Sequence, residues 1–250
     1  MILNAVRMGE GGPVVLLHGL FGAASNWGRV QRELAKTHRV IALDLRNHGS
    51  SPHDPAISYP IMAADVAETL AAEGVGPVGL VGHSMGGKVA MTLALARPDL
   101  VGRLLVADIA PVAYPPHYRT MAAAMQALPL TPGLTRAAAN AALEPDAPDP
   151  AIRGFLLQSL RFGDRPAWRI GLDEIAAGLP AIEGWTAAGT YDGPTLVLRG
   201  ERSDYVLPEH RALFRALFPA ARFATLRGAG HWLHADAPEA FVATVGTFLS

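Results

Sequence analysis

Six short, almost wholly apolar runs recur along the chain: PVVLLH at 13–18, RVIALD at 39–44, PVGLVGH at 77–83, GRLLVAD at 102–108, PTLVLRG at 194–200 and ARFATL at 221–226. A strand that is apolar on both faces is satisfied only in a sheet covered on both sides. Between the runs, the 60–73 stretch sets Met62, Val66 and Leu70 on one helical face, and Met85, Val89 and Leu93 repeat that spacing. Strand alternating with helix predicts an α/β fold with a mostly parallel sheet and helices on both faces.

The alternation breaks after Asp108, and no further convincing strand arrives until 194. A structureless loop of that length does not suit a compact domain. The interval contains RTMAAAMQAL at 119–128, LTRAAANAAL at 134–143, a break at EPDAPDP and the apolar-periodic AIRGFLLQSL at 151–160. These runs predict a helical lid over 114–190, inserted into a core made of 1–113 and 191–250.

Composition narrows the chemistry. Lysine and arginine total 21 against 22 acidic residues, so no net field exists to hold a nucleic acid. With no cysteine, there is no disulfide framework, thiolate nucleophile or thiolate-bound metal. No run of 18 or more apolar residues suggests membrane insertion, and the N-terminus lacks a basic-then-apolar signal pattern. The expectation is a soluble cytoplasmic protein whose partner is a small molecule and which needs no cofactor or metal.

Gly82-His83-Ser84-Met85-Gly86 matches the G-x-S-x-G nucleophile elbow and lies after a strand and before a helix, where that motif presents a serine hydroxyl above a sheet. The overlapping GHSMGGK also fits a phosphate-binding G-x-x-x-x-G-K loop. That reading needs a hydroxyl at position 89 for magnesium, and Val89 has none.

The base expected for Ser84 is a late histidine after the last strand. His231 in RGAGHWLHADAP fits, flanked by Gly228 and Gly230; His234 is its rival, read as structural because a helix begins near Asp236. Two carboxylates end up near a strand end and suit the acid: Asp204, after PTLVLRG, is favoured, and Asp108, closing GRLLVAD, is the alternative. Donors for a developing oxyanion are expected from the backbone N–H of Met85 and of Leu20, or of Phe21 next to it, in the HGLFG turn after the first run.

The chain resembles the α/β-hydrolase superfamily and, within it, the small YbfF-type esterases, most specifically at HGLFGAASNW (18–27), DLRNHGSSPH (44–53), VGHSMGGK (81–88), VADIAP (106–111) and GAGHWLHADAP (228–238). The resemblance implies a cofactor-free serine hydrolase that cleaves carboxylic esters or thioesters through an acyl-enzyme under a helical lid, with Ser84 as nucleophile and His231 as base. It also implies that related esterases keep an aspartate matching Asp108 and differ at Asp204. Neighbouring chemistries on this fold include C–C bond hydrolases, lactonases and haloperoxidase-like enzymes. Phe21, His83, Phe155, Leu156, Leu160 and Trp232 are the expected substrate contacts, the lid residues among them forming the acyl side.

Overall fold

The computed structural model describes residues 1–250. A seven-stranded sheet runs through the centre, made from β1 (Ala5–Met8), β2 (Gly12–Leu17), β3 (His38–Leu43), β4 (Val78–His83), β5 (Val101–Ala107), β8 (Thr195–Gly200) and β9 (Ala221–Leu226). Its spatial order is β1-β3-β2-β4-β5-β8-β9. Only the β1–β3 pair is antiparallel. The six apolar runs are the six parallel strands; β1, a four-residue edge strand with an exposed Val6 and Met8, has no apolar signature to announce it.

Alternation along each strand divides the core in two. Val15, Leu17, Ile41, Leu43, Leu104 and Val106 point to one face, and Val14, Leu16, Val40, Ala42, Leu105 and Ala107 to the other. The first face is covered by α2 (Tyr59–Ala72) and α3 (Met85–Ala96), through Met62, Val66, Leu70 and Val89. The second is covered by α1 (Gly28–Leu34) and α10 (Pro238–Leu249), through Val30, Leu34, Phe241 and Val245. Each of these side chains, taken fully out of water, contributes about 1.5–3 kcal/mol before conformational entropy is counted. The uninterrupted apolar reading of the strands follows from this double covering.

Between β5 and β8 the chain forms α4 (Tyr118–Ala127), α5 (Arg136–Leu143), α6 (Pro150–Leu156), a small antiparallel hairpin β6 (Leu160–Arg161) and β7 (Ala167–Trp168), and α7 (Leu172–Glu183). Local chemistry sets the helix starts: Thr135 Oγ1 accepts the Ala138 N–H at 3.1 Å, and Asp149 accepts that of Ala151 at 2.7 Å ahead of Pro150. The apolar 151–160 stretch is not one helix, because its last residue has turned into the hairpin. After β8 come α8 (His210–Leu217) and the short α9 (Leu233–Asp236). No helix is long and apolar enough to cross a membrane.

Two histidines tie the loops above the sheet together. His18 donates from Nδ1 to the Gly19 carbonyl at 2.7 Å and accepts the Leu45 N–H at Nε2 at 3.0 Å. His48 donates from Nδ1 to the Arg46 carbonyl at 2.8 Å and accepts the Phe21 N–H at Nε2 at 3.1 Å. Both rings are buried and must be neutral to act as acceptors; burial lowers the His18 pKa and, together with the repulsion two protonated rings would suffer so close together, pulls that of His48 down to about 3. Asp44 completes the frame, accepting the N–H groups of Ala24 at 2.7 Å and Ser50 at 2.9 Å. A Cβ on Gly49 would lie 2.1 Å from the Asp44 carboxyl carbon, so only glycine fits that turn.

Close packing at the elbow gives one test of the fold. A Cβ on Gly86 would lie 2.4 Å from the Leu17 carbonyl oxygen, whereas one on Gly246, in α10, meets nothing within 4 Å. Gly86→Ala is expected to cost at least about 2 kcal/mol through forced backbone displacement, and Gly246→Ala to gain up to about 1 kcal/mol of helix propensity, both read by urea denaturation. The neutral histidines give a second test. With the folded pKa of His48 below that of the unfolded chain, the unfolded state binds more protons, so stability is complete above about pH 6.5 and declines as pH falls toward 3, by up to about 1.4 kcal/mol per unit for this group. Denaturation midpoints measured from pH 7.5 to 4 should fall accordingly, and His48→Gln should flatten the slope.

Candidate active site

The site stands where β4, β5 and β8 end side by side. The sheet ladder continues one residue past two of these strands: the Ser84 N–H donates to the Ala107 carbonyl at 3.0 Å, and the Asp108 N–H to that of Leu198 at 2.9 Å. Both residues then turn sharply, with φ of +53° at Ser84 and +54° at Asp108, a conformation that side-chain-bearing residues rarely adopt. At Ser84 this reversal is possible because Gly82 and Gly86 touch: a Cβ on Gly82 would lie 2.2 Å from the Gly86 oxygen.

A continuous polar chain results. Ser84 Oγ lies 3.0 Å from His231 Nε2, and His231 Nδ1 lies 2.8 Å from Asp108 Oδ2. Asp108 is fully buried and also accepts the Gly200 N–H at 3.0 Å and the Ser203 hydroxyl. The sequence favoured Asp204 as the carboxylate on the histidine, with Asp108 as the alternative; the structure brings Asp108, and not Asp204, to His231. Asp204 is exposed and makes no hydrogen bond, since the 201–209 loop turns its neighbour Ser203 inward instead. The reason is visible in the sheet order: β5 is the immediate neighbour of β4, so the residue that follows it emerges beside Ser84, under the imidazole.

His231 is held from two sides. Tyr205 stacks on its ring with centroids 3.9 Å apart and planes 18° from parallel, and His83 Nε2 donates to its carbonyl at 2.8 Å. His83, expected as a substrate contact, lines the cavity yet its imidazole is engaged in holding this loop; burial, with repulsion from His231 and His234, lowers its pKa well below the usual value and keeps it neutral. His234 packs against Trp27 at 4.8 Å and does not reach Ser84, and burial lowers its pKa to about 4.

The amides near Ser84 differ in availability. Met85 opens α3, so its N–H has no intrahelical acceptor. Leu20 N–H donates to no protein acceptor, whereas the Phe21 N–H is taken by His48. Of the two candidates in the HGLFG turn, therefore, only Leu20 has a free donor. Lys88, the lysine of the GHSMGGK run, is buried: Nζ donates to the Gly184 carbonyl at 2.7 Å and lies over the rings of Tyr114 and Tyr59. Removal from water pulls its pKa down to about 8, and the side chain is not presented to a phosphate.

A cavity of about 1070 Å³ opens above Ser84. Phe21, Phe155, Leu156 and Trp232 line it, with Phe155 and Trp232 rings 5.6 Å apart. Leu160 does not; it is buried in the hairpin, paired with Trp168. Sequence reasoning also missed Tyr118 and Tyr205, which line the cavity within hydrogen-bond reach of each other. The signal available was slight, a tyrosine beside Asp204 and one at the start of an alanine-rich run.

Comparison with known proteins places the chain in a family. The model of the alpha/beta hydrolase family matches residues 14–244. The chain is 42% identical over 247 residues to the mouse protein named sn-1-specific diacylglycerol lipase ABHD11, covering 95% of this chain and 80% of that one. It is 38% identical over 241 residues to Esterase YbfF of Escherichia coli K12, covering 95% and 93%. A solved marine microorganism esterase superposes with a TM-score of 0.95 at 35% identity over 99% of both chains. Matched over nearly its whole length in sequence and in fold, the chain belongs to the α/β-hydrolase family.

Proposed function

We propose that this protein is an ester hydrolase that works through an acyl-enzyme on Ser84. The observation that carries the reading is the unbroken chain from Ser84 Oγ through both nitrogens of His231 to the buried Asp108. In this mechanism His231 Nε2 takes the Ser84 proton as Oγ attacks the ester carbonyl, and the amides of Leu20 and Met85 receive the developing oxyanion. Collapse of the tetrahedral intermediate expels the alcohol, which leaves with the proton from His231. Water then enters, is deprotonated by the same nitrogen and releases the acid. Asp108 fixes the tautomer that points the Nδ1 proton inward and stabilises the imidazolium, without itself taking a proton.

The names of two relatives, a diacylglycerol lipase and an esterase, support an ester as the substrate. A thioester would meet the same nucleophile and donors, so p-nitrophenyl esters and acyl-CoA thioesters assayed side by side define the substrate class. The 114–190 segment acts in this reading as a lid, whose Phe155 and Leu156 exclude water from the cavity.

Ser84→Ala is expected to stay folded and lose about 10⁴- to 10⁶-fold in kcat, and a fluorophosphonate should label the wild-type protein at Ser84. Labelling at another serine, with Ser84→Ala still active, would falsify the assignment. A second comparison separates the two carboxylates. Asp108→Asn should reduce kcat by up to about 10⁴-fold through the wrong imidazole tautomer. Asp204→Asn should remain within a few-fold of wild type in both kcat and melting temperature, the behaviour of an exposed residue with no partner. The opposite ranking would return the acid to Asp204.

A further inference from the structure

Ser84 borders two cavities. Besides the wide one, an inner chamber of about 30 Å³ lies between Met85, Lys88, Ile109, Tyr114 and Ile182. The two spaces share Leu20, Ser84, Tyr118 and Tyr205 as walls. Tyr118 and Tyr205 close the passage between them, their hydroxyls 2.7 Å apart. Tyr205 is fixed by its stack on His231 and by the Tyr114 hydroxyl, which donates to the Tyr205 carbonyl at 2.6 Å and accepts the Ala110 N–H at 2.8 Å. Tyr118 is the half contributed by the inserted segment, carried on the first turn of α4 with its ring edge-on to Phe21, centroids 6.3 Å apart.

The two sides of a substrate have different needs at this serine. A leaving alkoxide must be protonated by His231, which lines the wide cavity and not the inner chamber. Met85, whose amide faces the oxyanion, lines the inner chamber and not the wide one. With the carbonyl oxygen between Leu20 and Met85 and the alcohol on the histidine side, the remaining substituent of the carbonyl carbon points inward. Building on the acyl-enzyme reading above, we propose that the inner chamber is the acyl subsite and that the Tyr118–Tyr205 pair is the partition that limits acyl length while leaving the alcohol side wide. A space of this size holds roughly one or two water-sized groups, so the preferred substrates are short-chain acyl esters of bulky alcohols. The far end is closed by Lys88, whose ammonium is engaged by the Gly184 carbonyl and by two tyrosine rings. The 114–190 segment thus supplies the acyl side through Tyr114, Tyr118 and Ile182, with Phe155 and Leu156 facing the alcohol.

The test is kcat/KM on p-nitrophenyl esters from acetyl to decanoyl, and on acetate esters of alcohols of increasing size, for wild type, Tyr118→Phe and Tyr118→Ala. Wild type should fall at least about tenfold from acetate to octanoate, the scale on which a pocket rejects surplus methylenes. Tyr118→Ala should raise the octanoate-to-acetate ratio at least about tenfold with the alcohol ranking unchanged, and Tyr118→Phe, which keeps the ring and loses the tether, should fall between. Tyr118→Leu replaces Tyr118→Ala if the latter does not fold. A wild type that prefers octanoate, or a Tyr118 variant that scales all acyl lengths equally, overturns the proposal. Ser84 labelling by a fluorophosphonate keeps the two readings apart: an enzyme labelled there and indifferent to Tyr118 sinks the partition alone, whereas an unlabelled Ser84 sinks the acyl-enzyme as well.

Discussion

Two hydrogen bonds at the carboxyl edge of the sheet govern everything above it. The Ser84 N–H on Ala107 and the Asp108 N–H on Leu198 extend the β4–β5 and β5–β8 ladders by one residue each. A parallel ladder fixes the relative height of its strands, so the two residues emerge at a common level and a strand spacing apart. Both then adopt left-handed backbone, which costs on the order of 1–3 kcal/mol each and persists only because the ladder beneath and the glycine contacts beside Ser84 leave no alternative. The imidazole between them needs only to be delivered by a loop. Glycine at 200 makes room for that loop, since a Cβ there would lie 2.2 Å from the Gly230 oxygen.

Around this rigid pair, neutral histidines do the work of backbone cross-links. His18, His48 and His83 each use ring nitrogens to tie one loop to another, and each does so through backbone groups and not through a carboxylate. A neutral imidazole offers one donor and one acceptor at opposite ends of a flat, packable ring, which a buried lysine or carboxylate does not. The arrangement also decides which amide is left over: His48 consumes that of Phe21, so Leu20 keeps the free one.

How much of this was readable in advance depends on the range of the interaction. The parallel strands were legible because burial on both faces leaves a continuous apolar run, and the elbow because its letters fall within five residues directly after such a run, although Gly86 itself is demanded by the distant Leu17 carbonyl. The choice between Asp108 and Asp204 was not, since both follow strand ends and only the neighbour relation of β4 and β5 separates them. Strand order is a long-range property, carried by no local pattern. Leu160 failed for a similar reason: its apolar periodicity continues that of α6, but the hairpin with Trp168 removes it from the helix face. The burial of Lys88 was equally illegible, since it depends on a carbonyl almost a hundred residues away.

That lysine is one of three donors that tie down the inner cavity wall. The C-terminal end of α7 presents unpaired carbonyls with a partial negative charge, and three donors from other elements take them up. Lys88 Nζ bonds the Gly184 carbonyl, the Tyr114 N–H that of Glu183 at 2.8 Å, and the Tyr59 hydroxyl that of Ile182 at 2.6 Å. The cost of burying an ammonium is offset by the helix end and by two aromatic faces. The same ammonium therefore anchors the return of the 109–193 segment to the helix that begins at Ser84. On the opposite side the exposed Asn26–Gln158 bond at 3.1 Å links the turn after α6 to the core, and such a bond in water contributes little. The inner wall is thus held by polar bonds to a helix end, whereas the outer one rests on that exposed amide pair and on the packing of Phe155 against Trp232.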